Sequence, residues 1–104
     1  MMVKPTVGRA MWYWPAKEHR GEQPLAATVA YVHGDNIVNL AVIDANGNSN
    51  GGKTSVPIIQ EGSPYTAGDS PYAEWMPYQI GQAAKTEQLM ATVDLPHLDG
   101  AGAD

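Results

Sequence analysis

Apolar residues recur along most of this chain with the two-residue period of β-strands rather than with the period of helices. These segments are rich in β-branched and aromatic residues, and glycine, proline, asparagine or aspartate separates each from the next. The pattern predicts five strands, over residues 7–14, 25–33, 37–43, 53–60 and 72–76. The turn sequence Gly34-Asp35-Asn36 joins the second strand to the third as a central hairpin.

One segment near the C-terminus has a helical composition instead. Residues 78–91 are rich in good helix formers, and Pro77 stands directly before them. Residues 92–104 hold one proline, two glycines and three aspartates, so we expect this tail to be extended or disordered. The predicted organisation is a single domain over residues 1–91, closed by the helix, and an acidic tail over residues 92–104.

These elements predict a mainly β fold with one short C-terminal helix. Five short strands, a long early loop and a tight hairpin favour a small SH3-like antiparallel barrel of five strands, and an OB-like barrel is the alternative. A partly closed barrel removes most of the sheet edges that short strands would otherwise expose. Pro57 predicts an edge or a bulge for the fourth strand, because proline cannot donate to a ladder.

Composition narrows the class of protein further. The chain has 104 residues, which fits one domain, and the absence of cysteine excludes disulfides, a thiolate nucleophile and cysteine-ligated zinc. Its net charge of -5 argues against generic nucleic-acid binding, which needs clustered lysine and arginine. No apolar run has the length of a signal peptide or of the roughly 20 residues that cross a bilayer, so we expect a cytoplasmic protein without membrane contact.

One motif matches a phosphate-binding pattern in full. Residues 47–54, GNSNGGKT, fit the P-loop spacing G-x-x-x-x-G-K-[ST]. A true P-loop needs a helix that begins at the Lys-Thr pair, so that its amides and dipole hold the phosphates. Here Ser-Val-Pro follows, which prefers extended backbone. We therefore interpret the segment as a hairpin loop followed by a strand, in which Lys53 and the loop amides retain the capacity to meet an anion.

The residues that commonly carry catalysis form no recognisable constellation. His19, His33 and His97 lack the spacing of metal ligands. A hydrolytic set of Ser55, His33 and Asp44 can be assembled on paper, but no nucleophile-elbow pattern supports it. The prediction is a non-enzymatic protein with no cofactor and no metal.

Two aromatic groups offer a binding surface. In the first strand, Trp12 and Trp14 share one face, opposite Tyr13, and the second group surrounds Trp75 and Tyr78. The plain alternative is that one strand face is core and that the second group docks the helix. The functional hypothesis is that both groups meet at the barrel mouth, where aromatic rings stack a planar ligand and cations meet phosphate. The candidate ligand-binding residues are Arg9, Trp12, Trp14, Lys53, Trp75 and Tyr78.

Several dispersed motifs resemble a group of small proteins encoded by bacteriophages and prophages. They are KPTVGR, PLAATV, VNLAV, TSVP and EWMPYQIGQAAK, and the likeness covers about residues 4–89. Two features depart from the group: Ala10-Met11-Trp12 stands where a β-branched residue and a histidine are expected, and the chain after Met90 turns acidic and rich in glycine. The resemblance implies a phage origin, and it carries over no catalytic residue.

Two functional hypotheses follow. The first is a non-enzymatic binding protein that acts in the infected host cytoplasm as an anti-defence or sponge protein. It would hold a small anionic, nucleotide-type signal or a host defence protein, and we expect a homo-oligomer because so small a barrel forms deep pockets most easily between subunits. The alternative is a structural component of the virion, such as a capsid decoration protein, with extended termini that lie along a protein lattice.

Overall fold

The structure of the protein, a computed structural model, describes residues 2–93, and of residues 86–93 the backbone only. It confirms the mainly β fold: five antiparallel strands curl into a half-barrel, and one helix follows them. The helical and extended elements are β1 (Ala10–Trp14), a 3-10 turn (Lys17–His19), β2 (Leu25–Gly34), β3 (Ile37–Ile43), β4 (Ser49–Pro57), β5 (Tyr72–Glu74) and α1 (Pro77–Val93).

The strands form one sheet in the order β4-β3-β2-β1-β5, so that β4 and β5 are its two edges. The sheet curls until these edges approach each other, and a single parallel bridge between Ile58 and Ala73 joins them. The backbone N–H of Ile59 donates to the carbonyl of Ala73 at 2.9 Å at this junction. The prediction from Pro57 is thereby confirmed, since the strand that contains this proline lies at an edge of the sheet.

The concave side of the sheet holds the core. Strand alternation places Met11 and Tyr13 of β1 inside and leaves Trp12 and Trp14 half-buried on the outer side. The fully or almost fully buried apolar residues come from the strands and their flanking segments: Val3, Met11, Tyr13, Ala27, Val29, Val38, Leu40, Val42, Val56, Ile58, Ala73 and Trp75. Burial of each valine, leucine, isoleucine or methionine side chain among them contributes about 1.5–3 kcal/mol to folding.

Two bulges that flank β3 at Asn39 bend the sheet. On the β2 side, the register passes from Val29 to Tyr31 and skips Ala30. On the β4 side, residues 54 and 55 together lie opposite the single residue Asn39, between the pairs Leu40↔Lys53 and Val38↔Val56. Because bulges increase local twist and bend the strand, a pair at one level of the sheet promotes the curling into a barrel.

The predicted boundaries are wrong in four strands, of which β2 differs only by ending at Gly34 rather than at residue 33. β1 begins at Ala10 rather than at residue 7, because Gly8 has a φ of 93° in a turn that precedes the strand. β4 begins at Ser49 and ends at Pro57 rather than spanning residues 53–60, because Gly51, at a φ of 82°, occupies a bulge and lets the glycine-rich segment stay extended. β5 ends at Glu74, because the next residues lead into the helix.

The start of α1 is fixed by a side chain. Pro77 occupies the first helical position, and Gln79 accepts the backbone N–H of Met76 at 2.8 Å through its Oε1 atom. The Nε2 atom of the same side chain donates to the carbonyl of Ala10 at 2.9 Å, so the helix is attached to β1. The described part of the helix reaches Val93, beyond the predicted end at residue 91, and the rest of the predicted acidic tail lies outside the described residues.

Candidate functional site

The P-loop-like segment lies in a β-hairpin, as interpreted from the sequence. Asp44 donates its backbone N–H to the carbonyl of Asn48 at 2.7 Å and so closes the turn. The Lys53-Thr54 pair lies within β4, where a P-loop would require the start of a helix. Lys53 is paired with the core residue Leu40 across the ladder, and directly paired residues share a face of the sheet. The side chain of Lys53 is therefore directed to the concave side, where it is half-buried.

A groove opens on this concave side between β4 and the end of β1. It consists of two adjoining cavities of about 510 and 430 Å³, which share Tyr13, Lys53 and Pro71 as lining residues. One wall is formed by residues 52–57 of β4, and Pro15 and Pro71 belong to the opposite wall. We refer to this space as the barrel groove.

The barrel groove differs in charge from the chain as a whole. The chain carries a net charge of -5, yet no aspartate or glutamate lines either cavity. Lys53 is the lysine among the lining residues, and His19 adds an imidazole at one end. Among the side chains that the structure describes, residues 2–85, Lys53 has no ion-pair partner. A half-buried cation without a counterion is the group that an anion entering the groove would neutralise.

Tyr13 supplies a second donor in the barrel groove. Its side chain is 4% exposed, and its hydroxyl group has no hydrogen-bond partner in the described part of the chain. Burial raises the pKa of the Tyr13 phenol above its ordinary value of 10.0, so the group stays protonated at neutral pH. The phenol O–H and the Lys53 ammonium are thus two donors available to a carboxylate or phosphate ligand.

Arg20 fixes the wall opposite β4. Its Nε atom donates to the carbonyl of Pro15 at 2.7 Å, and one of its terminal nitrogens donates to the carbonyls of Gly68 and Ser70 at 2.6 and 3.0 Å. The guanidinium also lies 5.1 Å from the ring centroid of Tyr72. Since these carbonyls belong to two loops far apart in sequence, Arg20 holds both loops at the rim of the groove.

Of the predicted ligand-binding residues, Lys53 lies in the barrel groove, and the others lie elsewhere. The Arg9 guanidinium is 5.4 Å from the ring centroid of Trp75, whose side chain is 2% exposed in the core. Tyr78, on α1, is 63% exposed. Because Trp75 is in the core while Trp12 and Trp14 lie on the outer side of the sheet, the two aromatic groups do not line one mouth of the barrel.

Trp12 and Trp14 lie on the outer side of the sheet. The indole Nε1 of Trp14 donates to Glu74 at 2.7 Å, and its ring stacks on Tyr72 with centroids 6.4 Å apart. Trp12 pairs with Ala26 on one side and with Glu74 on the other. Tyr13 and Arg20 were missed as site residues, because neither the strand pattern nor the loop composition indicates which strand face encloses the groove.

The hydrolytic set is not assembled. Ser55 and His33 both contact Asn39, whose Oδ1 atom accepts the Ser55 backbone N–H at 2.8 Å and lies 2.9 Å from the His33 Nε2 atom. Asp44 lies at the far end of β3, where its carboxylate accepts the backbone N–H groups of Asn46 and Asn48, each at 2.9 Å. Among the described side chains, residues 2–85, there is no group of three or more histidine, aspartate or glutamate residues that could hold a metal ion.

The fold and the groove together define a small antiparallel half-barrel with a groove between β4 and the end of β1. No described helix is long and apolar enough to cross a membrane. Comparison with known proteins finds no matching family model, no matching curated protein and no matching solved structure.

Proposed function

We propose that the protein is a non-enzymatic binding protein that holds an anionic ligand in the barrel groove. The observation that carries this proposal is Lys53, a half-buried cation without an ion-pair partner in the described residues, in a groove that no acidic residue lines. An anion there gains a charge-assisted hydrogen bond from Lys53 and a neutral one from the Tyr13 phenol.

The chemistry of the groove accepts either phosphate or carboxylate. A nucleotide-type signal would present phosphates to Lys53, whereas a host protein would present the carboxylates of an acidic segment. Both fit the hypothesis of an anti-defence role inside an infected cell, for which the resemblance supplies only the phage origin. Self-association would extend the walls of so open a groove, and the mass of the native protein tests it directly.

Calorimetric titration of the full chain at constant ionic strength tests this function, with ATP, citrate and polyglutamate as the probes. We expect Lys53→Met to weaken the binding of at least one of these anions by about tenfold, the range of a single charged hydrogen bond. Lys85→Met is the matched control, because Lys85 is exposed on α1 and away from the groove. Binding of none of the three anions, or equal losses in the two variants, would contradict the proposal.

A structural role in the virion is the second candidate. It is favoured by the outer side of the sheet, where Ala26, Ala41 and Ile43 are exposed beside the half-buried Trp12 and present an apolar surface to a protein lattice. Mass spectrometry of purified particles decides this candidate, since a decoration protein is present in stoichiometric amounts and a host-cell binding protein is absent.

A further inference from the structure

We propose that the ligand of the barrel groove is a short, extended, acidic peptide segment that adds to the edge of β4 as a further strand and places a carboxylate at Lys53. This inference rests on the proposed anion-binding function and specifies the chemical class of the ligand.

The shape of the groove follows the edge of β4. Side chains alternate between the two faces of a strand, so a groove over one face is lined by every second residue. Here residues 52–57 line one cavity without interruption. A groove lined by consecutive residues runs along the edge of the strand, where alternate backbone N–H and C=O groups are not used by the neighbouring strand.

The edge of β4 has no strand partner within residues 2–93 along most of its length. β4 is the terminal strand of the sheet, and the single bridge to the other edge falls at Ile58, after the strand has ended. An extended peptide binds such an edge by main-chain hydrogen bonds, and pockets for alternate side chains give the specificity.

Bulges limit how long the added strand can be. Gly51 has a φ of 82° and Ser55 a φ of 54°, so the regular part of the edge between them covers residues 52–54. Because an extended chain rises about 3.3 Å per residue, this window accommodates about three residues of a partner. Lys53 lies at its centre, which brings the cation next to the middle residue of the added segment.

Charge and placement favour a peptide over a stacked base. The residues that line the groove include one lysine and no acidic side chain, so an acidic segment is complementary to it. The indoles that would stack a base are elsewhere, since Trp75 is buried in the core and Trp14 is stacked on Tyr72. Prolines at positions 15 and 71 instead provide a rigid apolar wall along which an extended chain can lie.

The test uses an acetylated and amidated octapeptide that alternates threonine and glutamate, added to the isotopically labelled full chain. Two further versions of this peptide carry backbone N-methyl groups, one on all threonines and the other on all glutamates. Alternate N–H groups of an extended chain point to opposite edges, so methylation of one set blocks the edge that faces β4, and methylation of the other set does not. A threonine–glutamine peptide of the same length removes the charge alone.

We expect the threonine–glutamate peptide to bind and to slow solvent exchange of a backbone amide within residues 52–54. One N-methylated version should bind at least about tenfold more weakly, and the other should bind nearly unchanged. The glutamine peptide and the Lys53→Met protein should each lose about tenfold in affinity.

Equal binding of both N-methylated versions would overturn the added strand. ATP binding that depends on Lys53, without peptide binding, would also overturn it and leave the anion-binding function intact. Absence of binding by every anion would overturn both proposals. A dimer of the free protein in sedimentation that Lys53→Met dissociates would overturn the peptide as the occupant of the groove.

Discussion

The Oδ1 atom of Asn39 accepts the backbone N–H of Ser55 at 2.8 Å, and this hydrogen bond holds Ser55 at a φ of 54° in the left-handed region. A residue other than glycine in this region costs about 1–3 kcal/mol unless its surroundings fix it. The same oxygen lies 2.9 Å from the Nε2 atom of His33, so Asn39 also contacts β2, at the register shift between Val32 and Gly34. Since Asn39 Oδ1 can only accept, His33 donates through Nε2.

Replacement of Asn39 by alanine should therefore destabilise the barrel. We expect Asn39→Ala to lower the free energy of unfolding by about 1–2 kcal/mol, because the Ser55 N–H and the His33 ring lose their acceptor. Urea unfolding followed by tryptophan fluorescence measures this change. Asn39→Asp is the matched control, since it retains an acceptor oxygen and should lose less. Equal destabilisation by both substitutions would show that the oxygen does not hold the bulge.

Arg20 should matter both to stability and to the shape of the groove. We expect Arg20→Met to lower the free energy of unfolding by about 2 kcal/mol, because three carbonyl groups lose a charged donor. The variant should also bind anions more weakly although Arg20 does not line the groove, since the loops at its rim are no longer held together. Unfolding and calorimetric titration measure the two effects. Lys17→Met, at a neighbouring exposed position, is the control and should change neither the stability nor the anion affinity. An Arg20→Met protein of unaltered stability would refute this role of Arg20.

The helix should depend on one buried glutamine. Gln79 is 6% exposed and bonds both to the N–H before the helix and to the carbonyl of Ala10. Gln79→Ala should cost about 1–3 kcal/mol, because both backbone groups lose their partner, and far-ultraviolet circular dichroism should report the loss of helix. Gln82→Ala is the control, as Gln82 is exposed on the same helix. Unchanged helicity and stability in Gln79→Ala would show that α1 is attached to the sheet by other contacts.

Tyr13 should produce a stability loss at alkaline pH. Burial raises the pKa of its phenol above 10.0, so above that pH the unfolded chain releases a proton that the folded chain keeps. The folded state then binds more protons, and stability falls as pH rises through the window between the two pKa values. We expect the difference in unfolding free energy between the wild type and Tyr13→Phe to be constant below about pH 9. By about pH 11 the wild type should have lost stability relative to Tyr13→Phe. A constant difference across this range would show that the phenol is not desolvated.

The sequence allowed the prediction of those elements whose pattern is local. β3 has the predicted bounds because it is apolar on both faces and has a clear turn before it. Alternation also assigned Trp12 and Trp14 to one face of β1, although a period of two cannot tell which face is the core. The early part of β4 could not be predicted, because its glycines indicate a loop unless a bulge accommodates them. Lys53 was predicted to meet an anion and lies in the barrel groove, whereas the hydrogen bonds of Arg20 depend on chain closure over 48 and 50 residues, which no local pattern encodes.

The anion-binding claim is tested most directly at the lysine side chains themselves. Reductive methylation with a carbon-13 label keeps the charge of each lysine and gives a resonance for each of Lys4, Lys17, Lys53 and Lys85. When ATP, citrate or polyglutamate is added to the full chain at constant ionic strength, we predict a saturable shift of the Lys53 resonance with at least one of them, while the resonances of the exposed Lys4, Lys17 and Lys85 remain in place. A Lys53 resonance that does not move with any of the anions, or four resonances that drift together without saturation, would contradict the account.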